Sequence, residues 1–129
     1  MHIVTDYLSL RKNKTMNSEP NQGFDVERLK AAVHLGNVEW QRHALERAME
    51  RDITRTQALD VLKEGNAIEY YPHDHPLPRA LFLGRPQNCP LHVVASFDSE
   101  KDLVAIITVY EPSLAYFEPD FKTRRNKHE

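Results

Sequence analysis

The apolar pattern becomes regular at Phe24 and changes its period once along the chain. Val26, Leu29, Ala32 and Val33 recur at helical spacing behind Asp25, a suitable N-cap, and Gly36 ends the stripe; this predicts a first helix over 26–35. A second helix, predicted over 38–51, would carry Trp40, Ala44, Leu45, Ala48 and Met49 on one face, with His43, Arg47 and Arg51 beside it. The third begins at a capping box: Thr54 is the N-cap, Gln57 is at N3, and Ile53 and Ala58 form the hydrophobic staple. It is expected to run to about Glu64, with Gly65 closing it.

After Gly65 the period becomes that of strands. Ala67–Tyr71 and Ala80–Leu83 read as two strands separated by the Pro-bounded loop 72–78. Leu91–Phe97 and Leu103–Tyr110 are apolar, β-branched runs flanking the polar turn 98–102, which predicts an antiparallel hairpin. Both faces of this hairpin are largely apolar, which places it centrally in a sheet. Helices followed by strands give an α+β domain, with two to three N-terminal helices on a four-stranded, mainly antiparallel sheet; nothing alternates as a Rossmann fold would. If Phe97 opposes Leu103, His92 opposes Thr108, and Tyr110 follows on the same face.

Composition bounds these elements without naming a function. The chain has 129 residues, of which 40% are apolar and 28% charged, the composition of one globular domain. No apolar run approaches the roughly 18 residues of a membrane span. Seventeen Lys and Arg against 19 Asp and Glu give a net charge of -2, so a nucleic-acid site would have to be a local patch. The single Cys89 excludes an intrachain disulfide framework and suits a reducing cytosol. Residues 1–23 read as a flexible leader without a signal-peptide core, with Met16 as an alternative start; 24–121 form the domain, and 122–129 a basic tail.

Two polar rows could carry chemistry. His43, Arg47 and Arg51 stack at four-residue spacing on the second helix, though Glu46 and Glu50 also make this an ordinary solvated face. His92, Thr108 and Tyr110 interrupt the apolar hairpin, where a buried, hydrogen-bonded histidine is the plainer explanation. Were the helix to cross the sheet face that carries His92, two histidines and two guanidiniums would meet in one cleft. That set suits metal-free cleavage of a phosphodiester by an acid, a base and a cationic clamp. If His92 is instead sealed on the face away from that helix, the mechanism has no geometry.

Weaker signals are His73 and His75 around Asp74, which as metal ligands lack a recognisable third partner, and Cys89 beside Pro90. Glu69, with Tyr70 and Tyr71, offers an acid or base, although an edge-strand carboxylate commonly faces solvent. Gly-rich phosphate loops and a serine elbow are absent.

From Trp40 onward the chain resembles the bacterial domain-of-unknown-function family 4258. The match rests on His43-Ala-Leu-Glu-Arg47, Glu50-Arg51-Asp52-Ile53-Thr54, Gly65 with Ile68-Glu69-Tyr70-Tyr71-Pro72, Leu83-Gly84, Pro90-Leu91-His92-Val93-Val94, Ile107-Thr108-Val109-Tyr110-Glu111-Pro112 and Glu118-Pro119-Asp120-Phe121, over roughly 40–125. Asp52 stands where glycine is expected and Phe117 where tryptophan is usual; both are expected outside the site. The resemblance implies a fold like that of RelE-type toxins and the barnase, EndoU, colicin and RelE ribonucleases, often with a zinc-finger antitoxin as partner.

The resulting expectation is a cytoplasmic, metal-independent, cofactor-free endoribonuclease of toxin type. His92 and His43 serve as base and acid, Arg47 is the clamp, Thr108 and Tyr110 orient, and Arg51, Arg79, Lys122, Arg124 and Arg125 hold RNA backbone. The alternative is a non-catalytic domain of the same fold that binds a protein partner.

Overall fold

The computed structural model describes residues 23–125. The expected leader, apart from Gly23, and the last four residues lie outside them. Helix α1 (Val26–His34) starts where predicted, because the Asp25 carboxylate accepts the Arg28 backbone N–H, 3.1 Å away. Its stripe Leu29, Ala32 and Val33 is buried. The chain then leaves through Gly36 at φ +85, a left-handed conformation that glycine adopts without Cβ strain.

The predicted second helix divides in two. Val38–Trp40 is a short strand, β1, and α2 spans only Arg42–Glu50. The strand forms because β1 lies parallel to a segment more than sixty residues away, Val38 opposing Val104 and Trp40 opposing Ile106. Helical spacing is a local signal and does not register such a partner. Met49, expected on the apolar face, is 74% exposed; Ala44 and Ala48 make the buried contact.

Helix α3 (Arg55–Glu64) follows the reading of its sequence. Thr54 Oγ1 accepts the Gln57 N–H at 3.0 Å, and the Gln57 side chain accepts the Thr54 N–H at 2.8 Å, closing both halves of the capping box. Its C-terminal carbonyls are met by Lys30, whose Nζ donates to the carbonyls of Leu62, Lys63 and Gly65 at 2.7, 3.2 and 2.8 Å. A cation at this end also opposes the helix dipole.

Strands β2 (Asn66–Tyr71), β3 (Arg79–Gly84), β4 (Leu91–Asp98) and β5 (Leu103–Tyr110) complete a mixed sheet of five, one more than expected, in the order β1-β5-β4-β3-β2. The hairpin β4–β5 takes a different register from the expected one: Asp98 opposes Leu103, Phe97 opposes Val104, and a bulge falls between Val94 and Ala95. Asp98 Oδ1 accepts the N–H groups of Glu100 and Lys101, and Asp102 turns at φ +57, so the turn is tighter and starts one residue later, after Asp98. Ile107 is the residue left without an opposite number, and beyond it His92 faces Tyr110 while Thr108 faces Val94. The polar trio still shares one face.

The two faces of the sheet differ in purpose. Phe82, Leu91, Val93, Ala95, Phe97, Val104, Ile106 and Val109 join the buried residues of α1, α2 and α3 in one core. Strand alternation therefore turns Glu69, Tyr71, Arg79, Leu81, His92, Thr108 and Tyr110 to the other face. Part of that face is covered by residues 116–125, a small hairpin closed by an isolated bridge between Phe117 and Arg124 and by bonds from Glu118 N to Thr123 O and Arg125 N to Tyr116 O. Asp120 sets its turn, accepting from the N–H groups of Lys122 and Thr123 and from the Thr123 hydroxyl; these bonds hold its carboxyl down to about 2.

Candidate functional site

A dense polar cluster lies on the sheet face turned away from α1, α2 and α3, where the 116–125 hairpin meets the sheet. At its centre His92 is fully buried. Its Nε2 is 2.7 Å from the Phe121 carbonyl oxygen, which can only accept, so Nε2 carries the proton. Nδ1 is then an acceptor, and the Tyr110 hydroxyl, 3.2 Å away, donates to it. Phe117 packs edge-on against the imidazole with ring centres 4.7 Å apart. Burial pushes the His92 pKa below its ordinary value, and the Phe121 carbonyl and the Glu69 charge offset this only in part. The ring is a neutral tie between strand and hairpin.

Beside it, Glu69 on β2 receives a two-pronged contact from Arg124: Nε to Oε2 at 2.8 Å and the Nη2 group to Oε1 at 2.9 Å. The Tyr71 hydroxyl donates to the same carboxylate. Burial alone would raise the Glu69 pKa, but the bonds from Arg124 and Tyr71 outweigh it and hold the carboxyl below the usual range. Tyr71, half-buried and facing that carboxylate, is pushed up to about 12. The Glu69 side chain is 21% exposed and that of Arg124 53%, so the guanidinium is the outer member of the pair. The Arg124 guanidinium also lies over the Phe117 ring at 4.7 Å.

The cleft required by the two-histidine mechanism does not form. Ala44 and Ala48 turn α2 into the core on the helix side of the sheet, whereas His92 is sealed on the other side. His43 is 82% exposed with Glu46 3.8 Å away, and Arg47 pairs with Glu50 at 3.5 Å. Arg51 donates to the Val109 carbonyl at 2.7 Å, tying α2 to the end of β5.

The remaining expected RNA contacts are scattered. Arg79 lies near Asp74 and His75 at 3.8 and 3.5 Å. Arg125 holds the Leu114 carbonyl and Glu118, and Lys122 is exposed at the hairpin turn. Cys89 is exposed, and among the described residues no group of three or more His, Cys, Asp or Glu side chains is placed to hold a metal ion. No helix there is long and apolar enough to cross a membrane.

Comparison with known proteins identifies the family over the segment that carries α2, α3 and β2 to β5. A family profile described as a domain of unknown function, DUF4258, matches residues 40–111. The chain belongs to that family. No curated protein and no solved structure matches it significantly. The DUF4258 segment supplies Glu69, Tyr71, His92 and Tyr110, and residues beyond it supply Phe117, Phe121 and Arg124.

Both departures from the family pattern acquire physical meaning. Asp52 adopts φ +59, the conformation for which glycine is the natural choice. Phe117, expected outside the site, is instead the ring that covers His92. Sequence reasoning named Glu69 as a possible acid or base and Arg124 as a backbone contact, but not as a pair. Fifty-five residues separate them, and only the return of the hairpin across the sheet joins them.

Proposed function

We propose that this DUF4258 domain is a toxin-type, metal-independent endoribonuclease whose reacting groups are on the sheet face turned away from α1, α2 and α3 rather than along α2. The observation that carries the reading is the Glu69–Arg124–Tyr71 cluster, a carboxylate, a guanidinium and a high-pKa phenol within hydrogen-bond reach of one another. In this reading Glu69 takes the proton of a ribose 2′-hydroxyl. The 2′-oxygen attacks the adjacent phosphorus, Arg124 balances the charge that grows on the phosphoryl oxygens, and the bond to the 5′-oxygen breaks. A tyrosine hydroxyl, Tyr71 or Tyr110, or a water protonates the departing oxygen, and a 2′,3′-cyclic phosphate remains. His92 is a positioning residue that fixes Tyr110 and the hairpin bearing Arg124.

Incubation of the purified protein with several RNAs, with and without ribosomes, tests this. New ends should carry cyclic phosphate, RNA with 2′-deoxy linkages should resist, and Glu69→Gln should slow cleavage by about 100-fold or more. Expression should arrest growth, and Glu69→Gln should relieve the arrest. No cleavage under any of these conditions overturns the reading.

The second reading is a domain of the same fold that only binds a partner, a zinc-finger antitoxin being the one that the family resemblance suggests. The separation of His43 and Arg47 from His92 by the sheet favours it, because the two-histidine acid–base pair does not assemble. It predicts partner binding that survives Glu69→Gln and no turnover on any RNA.

A further inference from the structure

We propose that the Glu69–Arg124 pair is the resting form of a phosphodiester-operated latch: an incoming phosphodiester takes over the Arg124 guanidinium and so releases the Glu69 carboxylate. The proposal rests on the ribonuclease reading and adds how its base is guarded before substrate arrives.

The geometry supplies each part. Arg124 is the more exposed partner and Glu69 the more covered one, so an anion arriving from solvent meets the guanidinium first. A phosphodiester offers two oxygens to the same two-pronged donor edge that now holds the carboxylate, and arginine suits either oxyanion. The guanidinium is already held in place by its stacking on Phe117, and Phe117 is braced by the buried His92. Exchange therefore needs a turn of the Arg124 head group rather than detachment of the hairpin. That hairpin keeps its own fastenings: the Phe121 carbonyl on His92 and the Arg85 guanidinium 5.8 Å from the centre of the Phe121 ring.

Glu69 would not be stranded after release, because the Tyr71 hydroxyl still donates to it. The groups facing the pair are Tyr71 from its own strand, His92 from β4 and Tyr110 from β5; His92 in its neutral form adds no competing charge. Freed of a cation, Glu69 becomes the stronger proton acceptor that the reaction needs. Without phosphate it remains engaged, so the resting protein holds its base out of use.

The full-length protein labelled with carbon-13 at glutamate carboxyls reads the latch directly. The probe is a 2′-deoxy dinucleoside monophosphate, which offers the phosphodiester but cannot be cleaved through a 2′-oxygen. Saturation with the probe should move the Glu69 carboxyl signal and raise its titration midpoint by about one to three pH units, as expected when a carboxylate loses an adjacent guanidinium. Glu69→Gln assigns the signal. Arg124→Lys, which keeps the charge but not the two-pronged edge, should weaken probe binding at least tenfold and raise the Glu69 midpoint even without probe.

Probe binding that leaves the Glu69 midpoint unchanged overturns the latch, as does absence of binding at millimolar probe. Cleavage of RNA with an unmoved Glu69 would remove the latch and leave the ribonuclease. A moved Glu69 with no cleavage of any RNA would leave a phosphodiester-responsive site and remove the ribonuclease.

Discussion

His92 shows how one side chain can appear catalytic in a sequence and be a fastener in the fold. Its imidazole joins Tyr110 to the Phe121 backbone beneath Phe117, so His92→Ala removes a buried ring and leaves a hydroxyl and a carbonyl without their partner. Cavity and lost hydrogen bonds together should cost about 2–4 kcal/mol, measured by urea unfolding. His43→Ala should change stability by less than about 0.5 kcal/mol and leave any RNA cleavage intact, because the side chain is open to solvent on the other side of the sheet.

The buried imidazole also sets a pH dependence. Its folded pKa lies below the ordinary 6.5, so the folded state resists taking the proton that the unfolded chain accepts. The stability that His92 contributes is therefore complete above about 6.5 and is lost as pH falls through the folded value. Glu69, whose pKa is also depressed, adds a separate loss below its ordinary 4.5. The urea midpoint should fall between pH 7.5 and 5, and His92→Gln should flatten that part of the curve; an unchanged slope in the variant would assign it to other groups.

Among the elements, the junction of α3 and β2 has little room to change. Gly65 has an unremarkable φ of -86, so its need is space rather than conformation. A Cβ there would press on the Leu83 carbonyl oxygen and approach the Val61 carbonyl oxygen at 2.6 Å, both backbone atoms. Gly65→Ala should destabilise the protein by about 1–3 kcal/mol, read from the denaturation midpoint. The α3 capping box was legible in the sequence because every participant lies within three residues. Strand β1 was not, since Val38–Trp40 becomes a strand only by pairing with Val104–Ile106. The β4–β5 register was half legible: alternation put His92, Thr108 and Tyr110 on one face, but a turn capped by Asp98 and a bulge at Val94–Ala95 changed which residues oppose.

For the molecule as a whole, the net charge of -2 and the spread of its arginines limit how RNA could be held. Among the described residues Arg47 and Arg125 have glutamate partners and Arg79 lies near Asp74, so these three are poorly placed to release counterions. If two to four phosphates are contacted, log affinity for single-stranded RNA should fall against log salt with a slope of about -1.5 to -3, measured by fluorescence anisotropy. A slope near zero would speak for protein binding instead. The sheet separates two tasks, one face burying the helices and the other holding the polar cluster under the 116–125 hairpin.

The sequence by itself determined the α+β class, all three helix starts within a few residues, the four long strands and the family to which residues 40–111 belong. Each of those depends on residues near one another in the chain, or on a pattern read along it. Tertiary structure alone decided that α2 and His92 lie on opposite sides of the sheet, that Phe117 covers His92 while the Phe121 carbonyl accepts from it, and that Glu69 meets Arg124. Those outcomes depend on which face a strand turns inward and on where a distant hairpin lands. Local periodicity has no term for either.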